Sequence, residues 1–353
     1  MNYKLSNVSN TYFAAALGNP IELQWTKLPM IRDAHCKSIW GRKFFEKEMI
    51  CAGFMTENST NTCTGDSGGP LMCHQNGQTV LTGIVSWGKR GCVRAHPKVF
   101  ARVSNYIEWI QSHMEESMTS FATTEKQRSR GLRGYRGSFE YSNSQEYVNS
   151  QKDVTTEYIT TADHMTTTEI MPLFNQDSGS CPTIPKFMRS SIPQARIIGG
   201  QKAHNSIPWQ VSLQKPDGSH GCGGVILDKM TILTAAHCVR KKGIDYTKWH
   251  VVAGQVDRKL NQDRIRIVKV IIHPKNEGTK IVFRNGKPRK TWPNDIGILK
   301  LSEPLALSKT IQPMCLPSED FKPFEGEMCF VSGWGKTNYC KIFLILNYTI
   351  IIE

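Results

Sequence analysis

The chain of 353 residues contains no C-x-x-C pair, and its Cys and His residues do not stand at zinc-finger spacing. No apolar run reaches the roughly 18–20 residues that cross a bilayer as a helix. The most apolar stretch, IFLILNYTIII, falls short of that length. The opening residues, MNYKLSNVSNTYFAAALGNP, lack an export signal, because YFAAAL is too short and poorly flanked. No aromatic residues interleave with the basic runs, and no nucleic-acid-binding motif accompanies them. These absences argue against a zinc module, a membrane-spanning helix and a nucleic-acid partner. The formal charge of +14, from 44 Lys and Arg against 30 Asp and Glu, then reads as a solvated basic surface. VRKKG (239–243) and NGKPRK (285–290) read as loops beside strands. No metal or cofactor is expected.

What the chain does have is eleven cysteines, which implies disulfides and an extracellular, secreted protein whose true start is missing. The triplets at Asn7, Asn58 and Asn347 are glycosylation sequons. Composition divides the chain into an unassigned 1–22, a strand-rich 23–115, and a Ser/Thr-rich 116–180 that reads as a disordered linker. Strand-like runs return after Cys181, with 181–196 as a pro-segment, 197–340 as a second strand-rich part and 341–353 as an apolar tail. SNYIEWIQSHM (104–114) predicts an amphipathic helix opened by a Ser104 cap. Many short strands separated by turn signals predict an all-β barrel or sandwich.

Motifs carry the reading further. GDSGGP (65–70), TAAHC (234–238), NDIGILKL (294–301), RIIGG (196–200), PWQVSL (208–213), CGG (222–224), SGWGKT (332–337), AHCKSIW, MICAG, GIVSWG and VFARVSNYIEWI together resemble the chymotrypsin/trypsin family of serine proteases. The resemblance implies a chymotrypsin-like double six-stranded β-barrel with a C-terminal helix, acting on protein or peptide substrates. It implies Ser67 as nucleophile, His237 as base and then acid, and Asp295 as the buried orienter of the imidazole. The Gly65 and Ser67 N–H groups would form the oxyanion hole. It also implies a zymogen that an activating protease cuts after Arg196. The freed Ile197 amine would then pair with Asp66. Inhibitors of the serpin or Kunitz kind belong to the same implication. Family-like disulfides would be Cys36–Cys51, Cys63–Cys92, Cys222–Cys238 and Cys181–Cys315, while Cys73 and Cys329 match the halves of one further pair.

The order of the parts departs from the family, in which the serine comes last. Here the serine-bearing part precedes the part with His237 and Asp295, and each is a fragment of a protease domain. One explanation is a piece of a tandem-protease chain of the ovochymase or polyserase kind; the other is a permuted single domain. Whatever its origin, EMCFVSGWG (327–335) is the strand that the first part lacks, so docking would assemble one composite double barrel from two separated segments. An inactive protease-like binding module, or a truncated gene product, is the alternative function.

The specificity pocket would be lined by Asn61, Ser86, Trp87, Gly88 and Lys98. Trypsins carry an aspartate where Asn61 stands, so a preference for cleaving after Arg or Lys is not expected. Lys98 stands where the family usually has glycine. It implies either an acidic P1 residue (the residue whose carbonyl is attacked), as in granzymes with an arginine there, or a nearly closed pocket.

Overall fold

A computed structural model describes residues 20–56, 61–89, 95–114, 181–189, 201–260, 263–284 and 287–336. The sequons, the reading of 116–180 as a linker, Cys92, Arg196, Ile197 and the 341–353 tail lie outside the described residues.

In the first segment, runs rich in Val, Ile, Leu and Phe between turn-forming residues become five strands. These are β1 (Gln24–Ile31), β2 (Met49–Ala52), β3 (Pro70–Gln75), β4 (Gln78–Trp87) and β5 (Lys98–Arg102). Helix α1 (Asp33–Trp40) lies between β1 and β2. Val103–Tyr106 forms a 3-10 turn leading into helix α2, residues 107–114. The predicted Ser104 cap is therefore corrected: Ser104 is buried inside that turn, three residues before the helix begins, rather than at its cap.

The second segment opens with the short helix α3 (Lys186–Arg189), whose Met188 is fully buried. The strands β6 (Gln201–Lys202), β7 (Gln210–Gln214), β8 (His220–Asp228) and β9 (Thr231–Thr234) follow. After the single-turn helix α4 (Ala236–Val239) come β10 (His250–Ala253), β11 (Ile265–Ile272), β12 (Lys280–Arg284), β13 (Lys287–Thr291), β14 (Gly297–Leu301) and β15 (Met328–Gly333). NGKPRK, expected as a loop, thus contributes β13 to a hairpin with β12, paired from Lys280↔Thr291 to Arg284↔Lys287.

Strands β7 to β11 and β14 close a six-stranded antiparallel barrel in the order β10-β11-β14-β9-β8-β7. The other barrel runs β15-β3-β4-β5-β2-β1, with β6 added beside β1. It closes only because β15, from the far end of the described chain, pairs with β1 from Gln24↔Gly333 to Pro29↔Met328. On its other side β15 pairs with β3 at Phe330↔Met72 and Val331↔Leu71. This is a chymotrypsin-like double barrel assembled from two separated segments, with both in one compact unit.

Burial explains why the inserted strand stays. Cys329 and Val331 are fully buried against Leu28, Ile50, Leu71 and Phe100, and each such side chain is worth about 1.5–3 kcal/mol. The Cys73–Cys329 disulfide ties β15 to β3. Between the barrels the core is continuous, as Ile107 and Ile110 of α2 join Val211, Leu233 and Ile298 in one cluster. Lys300 Nζ donates to His113 O of α2 at 2.5 Å and to Thr231 Oγ1 at 2.8 Å. That pairing explains how a lysine in β14 tolerates burial.

Candidate active site

Two glycine motifs from opposite ends of the chain press together. A Cβ on Gly68 (φ 82°) would lie 2.3 Å from Thr234 Oγ1 and 2.4 Å from Gly223 O, so no other residue fits there. Gly223 N donates to Ser67 O at 2.8 Å. The GDSGG turn and the CGG strand are therefore one contact, and it seats Ser67 beside the end of β9, just before His237.

His237 sits on α4 with its side chain partly exposed, while the Asp295 carboxylate, two residues before β14, is buried. Asp295 Oδ1 accepts from His237 N at 2.8 Å. Asp295 Oδ2 faces His237 Nδ1 at 2.7 Å and accepts from Ser86 Oγ at 2.5 Å. Ser86 belongs to the first segment, so this carboxylate links the two segments directly. Burial would raise the Asp295 pKa, but the His237 charge and these hydrogen bonds hold it below the usual carboxylate range. For His237 burial lowers the pKa, and the charge and hydrogen bond of Asp295 outweigh it, so the net shift is upward.

With Nδ1 committed to Asp295, Nε2 is the ring nitrogen left for chemistry. No hydrogen bond joins it to Ser67 Oγ, a separation common in unliganded sites. The N–H groups of Gly65 and Ser67 likewise have no partner among the described residues. Together these leave a half-buried hydroxyl and two unengaged donors in one turn.

Asp66 is buried and its carboxylate accepts from Cys63 N at 2.7 Å and Gly335 N at 2.7 Å. Burial pushes its pKa up to about 6, against the lowering by those bonds and by the Lys98 charge. Among the described residues no cation pairs with it within ion-pair distance. Asn61 is buried, donating from Nδ2 to His96 O at 2.8 Å, with Oδ1 accepting from Thr62 N at 3.0 Å. Lys98 is 5% exposed and runs along Gly88: a Cβ there would lie 2.5 Å from Lys98 Cδ. Lys98 makes no hydrogen bond or ion pair with a described residue, and burial lowers its pKa to about 8 although Asp66 opposes the shift. Trp87 is buried, its ring 4.9 Å from that of Trp40.

Cys36–Cys51, Cys73–Cys329, Cys181–Cys315 and Cys222–Cys238 are bonded as the resemblance implies. Cys63 is disulfide-bonded too.

Sequence reasoning missed three supporting residues. His220 Nε2 lies 2.9 Å from Gly65 O and its Nδ1 2.8 Å from Ser212 Oγ, which fixes the turn before the serine. Burial lowers the His220 pKa to about 4, so it is neutral near pH 7, with Nε2–H donating to Gly65 and Nδ1 accepting from Ser212. Asn276 Nδ2 donates to Pro293 O and Asn294 O, at 3.1 and 2.9 Å, and holds the loop that carries Asp295. Glu48, from the first segment, accepts from Asn294 N at 3.1 Å. None had a local signal, because each partner is distant in sequence.

A double barrel with a histidine and a carboxylate facing a GDSGG turn across its cleft defines a chymotrypsin-like serine protease fold. The family model described as Trypsin matches residues 4–110 and 197–350, and the chain belongs to that family. It is 30% identical over 324 residues to transmembrane protease serine 9 of Rattus norvegicus, a match covering 90% of this chain and 28% of that protein. The chain thus spans under a third of that relative's length. No helix among the described residues is long and apolar enough to cross a membrane.

Proposed function

We propose that the chain is a serine-type endopeptidase whose triad is divided between its two segments. The observation that carries this reading is the Asp295 carboxylate, hydrogen-bonded at once to His237 and to Ser86. Ser67 Oγ attacks the peptide carbonyl as His237 Nε2 takes its proton. The oxyanion forms against the Gly65 and Ser67 N–H groups, and the imidazolium returns the proton to the leaving amine. Water then repeats the sequence on the acyl-enzyme, releasing the acid and restoring Ser67. Asp295 steadies the imidazolium throughout and keeps Nδ1 protonated.

Asp66 supports activation by cleavage after Arg196. A buried carboxylate with its pKa pushed up to about 6 is short of a cation, and a freed Ile197 amine would supply one. The same reading takes 23–115 and 197–340 as complementary parts of protease domains, the product as secreted, and serpin or Kunitz-type inhibitors as partners. One alignment with the rat protease runs through both segments in this chain's order, which favours a tandem origin over permutation.

Asn61, Ser86, Trp87, Gly88 and Lys98 form the specificity pocket in this proposal. The buried Lys98 ammonium, which makes no hydrogen bond or ion pair among the described residues, favours substrates with Asp or Glu at P1, whose carboxylate would pair with it. The same side chain, lying against Gly88, also favours the second reading, an inactive binding module with its pocket filled.

The deciding experiment is to cleave the chain after Arg196 and treat it with a fluorophosphonate. Labelling of Ser67 that vanishes in His237→Ala supports the peptidase, and no labelling leaves the binding module. On unlabelled enzyme from the same cleaved preparation, P1-Asp and P1-Arg peptides compared side by side test Lys98, and brisk cleavage after Arg would refute its proposed role.

A further inference from the structure

Two lysines among the described residues are buried, and they differ in what surrounds the amine. Lys300 Nζ donates to His113 O and to Thr231 Oγ1, so its ammonium keeps acceptors inside the protein. Lys98 is 5% exposed, and its Nζ has no acceptor or carboxylate within bonding distance among the described residues. Its stem lies where Gly88 has no side chain. A Cβ there would stand 2.5 Å from Lys98 Cδ, 3.3 Å from Cε and 3.1 Å from Nζ.

An ammonium held out of water without acceptors is unfavourable, and shedding a proton relieves this. Burial accordingly lowers the Lys98 pKa to about 8, with the Asp66 charge opposing the shift. The groups around it offer no competing partner. Asn61 commits Nδ2 to His96 O and Oδ1 to Thr62 N, and Ser86 Oγ is engaged by Asp295. Trp87, directly before Gly88, is buried and uncharged. The ammonium form meets the P1 acids proposed above; the free-base form is a nucleophile.

We propose that Lys98 is a covalent capture site for small apolar aldehydes that enter the cleft beside Gly88, held as an imine on Nζ. The Nζ lone pair attacks the aldehyde carbon, the carbonyl π pair moves to oxygen, and that oxygen takes one amine proton to give a carbinolamine. The hydroxyl then leaves with the second amine proton as water, and the C=N bond forms. Nothing is oxidised or reduced, and hydration reverses the step. The proposal rests on the functional reading only in taking this cleft as open to ligands. A captured group there occupies the P1 side and blocks substrate.

The test uses the full chain with Ser67→Ala, which removes the other nucleophile of the cleft. Benzaldehyde is added with cyanoborohydride, which fixes imines as secondary amines, and modification is counted at each lysine by peptide mass spectrometry. At pH 7 Lys98 should react about tenfold faster than the exposed lysines, and Lys300 scarcely at all. That ratio should fall toward pH 10, because Lys98 gains little free amine above about pH 8 while the exposed lysines go on gaining it. Lys98→Met should leave modification of the other lysines unchanged. A Lys98 that reacts no faster than exposed lysines at pH 7, or not at all, would overturn the proposal. A ratio that stays constant with pH would do the same. If the Ser67 protein, cleaved after Arg196, takes no fluorophosphonate while Lys98 is still captured, the peptidase reading alone fails.

Discussion

The two barrels share an architecture and differ in how the chain makes them. The barrel that carries His237 and Asp295 is contiguous, since every strand from β7 to β14 that closes it comes from residues 210–301. The barrel that carries Ser67 takes five strands from residues 24–102 and its sixth from 328–333. A contiguous barrel closes its own edges by local pairing. The divided one leaves β1 and β3 as unpaired edges until a strand from more than 200 residues away arrives, which is slow and entropically costly. The stability of the serine side therefore depends on the seam, and that of the histidine side does not.

Ending the chain at Glu327 should have the largest effect. It removes β15 and should abolish amide protection in β1 and β3 while leaving β8 and β9 protected. Hydrogen exchange by mass spectrometry reads this directly, and loss of protection in both barrels would break the comparison. Next come the disulfides. In the chain-entropy account, the bond spanning 256 residues, Cys73–Cys329, is worth about 5.5 kcal/mol and the one spanning 16, Cys222–Cys238, about 3 kcal/mol. Paired Cys→Ala variants compared by denaturant melts should keep that order, with Cys181–Cys315 moderating the first value.

A smaller effect is expected across the active-site seam. Ser86→Ala removes a hydrogen bond to a buried charge, worth about 1.5–3 kcal/mol in such settings. It should lower kcat about tenfold or more and lower the melting temperature by several degrees. The smallest is a displacement in pH. His237 must be neutral to act as a base, so kcat/KM should fall on the acid side with a midpoint above the ordinary imidazole value of about 6.5. Asp295→Asn should move that midpoint down. The stability of the pair runs the opposite way. The His237 contribution is fully present below that ordinary value and lost as pH rises through the raised one. The Asp295 contribution is lost as pH falls through its depressed pKa.

Much of this was legible before the fold was seen. Apolar runs such as VLTGIVSW and ILKL became β4 and β14, and the need for a strand like β15 was implied by the resemblance to the family, whose barrel the first segment leaves one strand short. The motifs GDSGG and CGG were visible, but their mutual contact was not. A glycine records only that room is scarce, and the neighbour that takes the room, Gly223 for Gly68, lies 155 residues away. The same distance hid His220, a lone histidine whose acceptor, Gly65 O, has no sequence signature. The β12–β13 hairpin was misread for another reason. Its charge drew the interpretation toward a solvated loop, while Asn285-Gly286 after KIVF is a hairpin signal that charge cannot cancel.

One consequence lies in where the disulfides fall. In an ordinary member of the family, activation trims a leader and leaves nucleophile and base on one polypeptide. Here a cut after Arg196 would put Ser67 on one polypeptide and His237 with Asp295 on another. Cys73–Cys329 and Cys181–Cys315 would be the covalent clasps between them. The mature enzyme would then be a heterodimer made from a single gene product. It should migrate as one band without reductant and as two with it, and its catalytic lifetime would be set by the redox state of its surroundings.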